Sequence, residues 1–138
     1  MRRLWKTICR ENIIRRGSAE KEEKIMEQHF LKNIDFKTVL SFESLVEYQP
    51  GQVVSRTLAQ GKALSLTLFA FDQGEEISSH SSSGDALVYI MDGEAEITIG
   101  EETFQLTKGQ SIVMPAGIPH ALRAKERFKM FLVVAFSL

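Results

Sequence analysis

From residue 50 onward, apolar side chains recur in short runs with a spacing of two. In "ALSLTLFAF", Leu64, Leu66 and Leu68 alternate with Ser65, Thr67 and Phe69. A strand sends successive side chains to opposite faces, so this alternation predicts a strand. The runs "QVVSRTL" (after Pro50-Gly51), "ALVYIM", "EAEITI", "ETFQLT", "SIVM" and "HALRA" also predict strands. They are rich in β-branched and apolar residues and bounded by turn formers. Asp92-Gly93 predicts a tight hairpin of type I′ after "ALVYIM", and Gly100-Glu101 predicts a second reversal. In "EAEITI", Ala95, Ile97 and Ile99 alternate with two acids and Thr98, which leaves one face wet. The last run, "FKMFLVVAFSL", is apolar on both faces apart from Lys129 and is expected to be covered on both, between sheets or against a second subunit. Short strands with turns every roughly 8–12 residues predict an all-β sandwich or barrel.

The first thirty residues differ in texture. "SAEKEEKIMEQHF", residues 18–30, predicts a helix, with Ser18 as N-cap and acids in the first turns where the helix dipole favours them. The expected organisation is a basic, partly helical extension over 1–30 and a β domain over 31–138. Met26 precedes the first segment with the texture of a packed domain and is the expected natural start, with residues 1–25 upstream of it. A length of 138 residues fits one domain with a single core. The net charge of -1 excludes a polyanion binder as a whole, although residues 1–16 carry +5 and the remainder -6. Six basic residues without an aromatic or glycine-rich frame fit a solvated extension better than an RNA or membrane contact. "LWKTICRENII" is broken by Lys6, Arg10 and Glu11 before a secretory core could form, and no apolar run reaches the roughly 18 residues of a membrane span. Cys9 is the single cysteine, so no internal disulfide is possible, which fits a reducing cytoplasm. The chain is therefore expected to be cytoplasmic, with no nucleic-acid and no membrane partner.

Candidate chemistry gathers at two corners, each holding one of the three histidines. Residues 74–93 place Gly74, His80 and Gly93 at fixed spacing, and residues 109–124 place Gly109, Pro115, Gly117 and His120. Pro115 and Pro119 fix two φ angles around Gly117 and so orient the strand that carries His120. These spacings resemble the two motifs of the cupin superfamily, in particular its small single-domain conserved-barrel members. The resemblance spans about residues 50–136 and implies a double-stranded β-helix, a jelly-roll barrel. It also implies four ligand positions, which this chain fills only in part: His80 and His120 match, whereas Ser82 stands for a second histidine and Ala86 for a glutamate. Ala124 replaces the asparagine that closes the second motif.

Alternation along the motif strands predicts a cavity lined by His80, Ser82, Ala86, Val88, Ile90, Met114, His120 and Leu122. Such a wall, apolar with a few polar groups, suits a small-molecule ligand, and plain core packing around Met114 is the competing reading. Asp85 is expected to point outward and to close the Gly84 turn through its own backbone, and Glu75 and Glu76 are expected to be solvated. Two imidazoles fall short of the three or four donors that zinc or non-haem iron takes from protein, so the expected cofactor is none, or one divalent metal (Fe, Mn, Ni or Zn) on His80 and His120. The expected function is non-redox small-molecule binding. Against it stand a metal-dependent oxygenase, isomerase or decarboxylase using the two histidines, and a regulatory domain whose DNA-binding partner is another chain. A homodimer is expected because the last strand, with Phe36, Leu40 and Phe42, exceeds what one small barrel hides.

Overall fold

The computed structural model describes residues 29–137. The helix expected over 18–30 falls outside them but for its last two residues, and His29 and Phe30 are not helical. Eight strands follow a single 3-10 turn at Phe42–Leu45. They are β1 (Val53–Gln60), β2 (Leu64–Phe71), β3 (Glu76–His80), β4 (Asp85–Ile99), β5 (Glu102–Thr107), β6 (Ser111–Met114), β7 (His120–Arg123) and β8 (Phe128–Ala135). Every pairing is antiparallel. One sheet runs β1-β2-β8-β4-β6 and the other β3-β7-β4-β5, and the 15-residue β4 belongs to both. The architecture is an all-β jelly-roll barrel.

The turn expected at Asp92-Gly93 is not a hairpin. β4 passes straight through it, pairing with β8 and β6 up to Gly93 and with β7 and β5 beyond it. The register against β8 slips between Ile90 and Asp92, so Met91 is an extra residue that bends the strand from one sheet into the other. Gly93 has φ +74, and a Cβ there would collide with the Arg127 carbonyl and lie 2.8 Å from Phe128 Cα. The dipeptide's freedom therefore serves a bend under a neighbouring backbone, because partner strands on both sides hold β4 extended. The reversal at Gly100-Glu101 forms as expected, with Ile99 opposite Glu102.

Ala86, Val88 and Ile90 face the interior while Asp85, Leu87 and Tyr89 are exposed, the period of two read from the sequence. The main core joins them to Phe71, Ile97, Leu122, Phe128 and Met130, with Phe71 stacked on Phe128 at 4.4 Å. A second cluster lies on the outer face of the first sheet, where Leu58, Leu68, Ala70 and Met91 meet Val46, Ile34 and Leu45. The segment 34–48 thus covers the second apolar face of β2 and part of that of β8, where Phe42 packs edge-on against Phe131 at 5.1 Å. Polar contacts pin the segment down. Tyr48 donates to Asp92 at 2.6 Å, Lys129 donates to the Glu43 carbonyl at 2.6 Å, and Arg56 to the Leu45 carbonyl at 2.7 Å. β8 therefore finds part of its second cover within its own chain.

Candidate functional site

β3 and β7 are brief antiparallel neighbours, and their register sets His80 directly opposite His120. Ile77 pairs with Leu122, so one residue more lies on β3 than on β7 between the two pairs. That bulge at Ser78-Ser79 matters, because strict alternation from Ile77 would have turned His80 to the opposite face. With the extra residue, Ile77 and His80 line the same cavity. The imidazole centroids stand 4.4 Å apart, with the rings inclined at 71°.

Each ring is held through the same atom. His80 Nδ1 lies 2.9 Å from the Ser78 carbonyl and His120 Nδ1 lies 3.2 Å from the Ile118 carbonyl. A carbonyl oxygen only accepts, so both Nδ1 atoms carry the proton and Nε2 of each neutral ring keeps its lone pair. His120 is only 3% exposed, whereas His80 is exposed. Burial first, and then the neighbouring His80, hold the His120 pKa below the ordinary histidine value, against the pull of the Ile118 carbonyl.

The two corners are stapled to one another. Asp85 Oδ1 accepts the Ala116 amide at 2.8 Å, and the Ser82 carbonyl accepts the Gly117 amide at 2.8 Å. Asp85 points outward as expected, but it does not close the Gly84 turn. Its carboxylate reaches across to the second corner, and the Ser82 hydroxyl accepts the Gly84 amide at 3.1 Å instead. Glu76 is exposed and Glu75 half-buried, and neither lines the cavity.

The cavity holds about 450 Å³. Of the expected lining residues, His80, Ser82, Ala86, Met114, His120 and Leu122 border it. Val88 and Ile90 do not; they are fully buried in the core, because β4 sinks beneath the cavity as it nears the bend at Met91. Sequence reasoning missed the opposite wall, Phe69, Met130, Leu132 and Val134, contributed by β2 and β8. Alternation along β8 puts Met130, Leu132 and Val134 on one face, and the Phe69–Met130 pairing adds Phe69. The alternation was visible in the sequence, but the pairing that aims it inward was not.

The chain matches the Cupin domain family over residues 67–136. It is a cupin. It resembles a conserved Streptococcus pyogenes protein of unknown function, at 48% identity and TM-score 0.79 over 81% of this chain and 98% of that one. A cupin superfamily protein of Desulfitobacterium hafniense aligns at 36% identity and TM-score 0.74, covering 78% and 98% of the two chains. An uncharacterized Streptomyces coelicolor protein is 35% identical over 57 residues, which span 41% of this cupin and 54% of that relative.

The four ligand positions implied by the family fit a protein-held metal poorly. Ala86 offers no donor atom, and the Ser82 hydroxyl is engaged with the Gly84 amide. Among the described residues no group of three or more His, Cys, Asp and Glu side chains gathers as a metal set would. A metal here would take two imidazole nitrogens from this chain and its remaining donors elsewhere. Among the described residues no helix is long and apolar enough to cross a membrane.

Proposed function

We propose that this cupin binds a small organic molecule in the cavity bordered by β3, β7, β4 and β8, and that it does so without redox chemistry. One observation carries the reading: among the described residues, two facing imidazoles are the only titratable side chains around a cavity whose other walls are apolar but for Ser81, Ser82 and Ser83. Apolar walls take up the ligand body while the paired nitrogens orient it. A neutral imidazole next to a bound molecule can also relay a proton near neutral pH. The single Cys9 supports a cytoplasmic setting.

A second reading, a metal-dependent oxygenase, isomerase or decarboxylase, draws support from the Nδ1 bonds. Metal-ligating histidines anchor one ring nitrogen on a carbonyl and present the other to the ion, as both rings are arranged to do here. Elemental analysis of untagged protein separates the two readings. The binding reading expects well under one metal per chain, and no rise in melting temperature on titration with Fe(II), Mn(II), Ni(II) or Zn(II). Stoichiometric metal that disappears in His80→Ala would establish the enzyme reading instead.

We also propose a homodimer. Leu87, Tyr89 and Val113 remain 41%, 43% and 50% exposed on the outer face of the first sheet, and Leu87 lies opposite both Val113 and Val133. An uncharged apolar patch continuous across three strands suits a second copy of itself.

A further inference from the structure

The cavity has a polarity that narrows the chemistry of its occupant. We propose that it takes a neutral hydroxylated aromatic molecule, a phenol, whose O–H donates to Nε2 of one of the two imidazoles and whose ring lies among Phe69, Met114 and Met130. The inference rests on the small-molecule reading above and specifies its ligand class.

The head group follows from the hydrogen-bond inventory. Both Nδ1 atoms are committed to main-chain carbonyls, so each neutral ring offers Nε2, an acceptor. The complement of two neighbouring acceptors is a donor. A carboxylate brings only lone pairs: it would face those of both Nε2 atoms and find donors only in the hydroxyls of Ser81, Ser82 and Ser83. A methyl ether brings no donor. An ammonium brings donors, but no carboxylate lines the cavity to balance its charge, and desolvating an unpaired ion is costly. A neutral hydroxyl donates its one proton to one Nε2 without that cost, and its oxygen can accept from a serine hydroxyl of the lining.

The body follows from the walls. Among the described residues, no Asp, Glu, Lys or Arg borders the cavity. Two methionines, Met114 and Met130, stand with Phe69 around it. Thioethers make favourable contacts with aromatic rings, and an aromatic side chain stacks or meets a ring edge-on, preferences that an aliphatic ligand does not exploit. A cavity of about 450 Å³ admits a single substituted ring with room to spare.

The test titrates three probes that share a para-ethylphenyl body and differ in head group into EDTA-treated protein at about pH 8, where a histidine of ordinary pKa is neutral. The probes are para-ethylphenol, para-ethylanisole and para-ethylbenzoate, and the readout is the methyl resonances of Met114 and Met130. The expected result is saturable binding of the phenol, at least about tenfold tighter than the anisole, with no saturable binding of the benzoate. In His80→Ala, which alters an exposed residue and so spares the fold, the phenol's advantage over the anisole should shrink, because one of the two acceptors is gone. Equal binding of phenol and anisole, or tighter binding of the benzoate, would overturn the phenol assignment and leave the small-molecule reading standing. If none of the three moves the methionine methyls up to its solubility limit, both fall.

Discussion

His120 lies buried beside a second imidazole, and both circumstances disfavour a positive charge on it. The folded state therefore binds its proton less readily than the unfolded chain, in which histidine titrates near 6.5. Because the folded pKa is depressed, stability from this residue is fully present above the unfolded value. It is lost as pH falls from there towards the lower folded value. Urea midpoints measured from about pH 8 down to about pH 5 should fall with pH, and His120→Gln, which cannot titrate, should flatten part of that slope. An identical slope in the variant would mean that other groups carry the dependence. Asp85 shows the same dependence on surroundings in a different form. Read locally, a carboxylate after Gly84 is a turn former, yet in the fold it accepts an amide 31 residues away and holds the two histidine corners together.

At the scale of the element, β4 is the part whose behaviour departs most from local expectation. Asp92-Gly93 carries the chemistry of a tight turn, but the strand has partners on both sides before and after that dipeptide, and so it bends. The close approach of Arg127 and Phe128 makes the glycine indispensable there. Gly93→Ala should destabilise by more than about 2 kcal/mol, or fail to accumulate folded protein, because both the positive φ and the neighbouring backbone oppose a side chain. Gly100→Ala is the matched control. Gly100 also has a positive φ of +60, but a Cβ there would meet only Ile118 Cγ2, at 3.8 Å, so a loss of about 1 kcal/mol is expected. Thermal melts of the two variants side by side measure the difference, and equal losses would show that φ alone sets the requirement. The bulge at Ser78-Ser79 is the second departure, since one extra residue on β3 turns His80 into the cavity.

At the scale of the whole molecule, the segment 34–48 and the barrel share the second apolar cluster, which reduces the surface left for a partner. Phe42 and Leu45, though apolar residues of the stretch before the first strand, pack against the chain's own sheet. Exposed apolar side chains remain on the β4–β6 side of that sheet, at Leu87, Tyr89 and Val113. Sedimentation at micromolar concentration is expected to give a dimer. Val113→Lys, on a residue 50% exposed, should shift the species towards monomer with little change in the melt of the monomer itself. A monomer in the unaltered protein would assign the patch another role.

What the sequence determined by itself was local. Side-chain periodicity marked the strands, and Gly109, Pro115 and Gly117 marked the corner that leads to His120, because alternation and φ restriction are properties of neighbouring residues. The spacing of the two histidine corners, and the replacement of the family's second histidine and glutamate by Ser82 and Ala86, were legible for the same reason. Tertiary structure decided everything that depends on which strand lies beside which. It made Asp92-Gly93 a bend, placed the Ser78-Ser79 bulge that aims His80, and gave Asp85 its distant amide. It also drew Phe69, Met130, Leu132 and Val134 around the cavity while leaving Val88 and Ile90 in the core. Partner strands are chosen by burial over the whole chain, and a residue's neighbours in sequence carry no record of that choice.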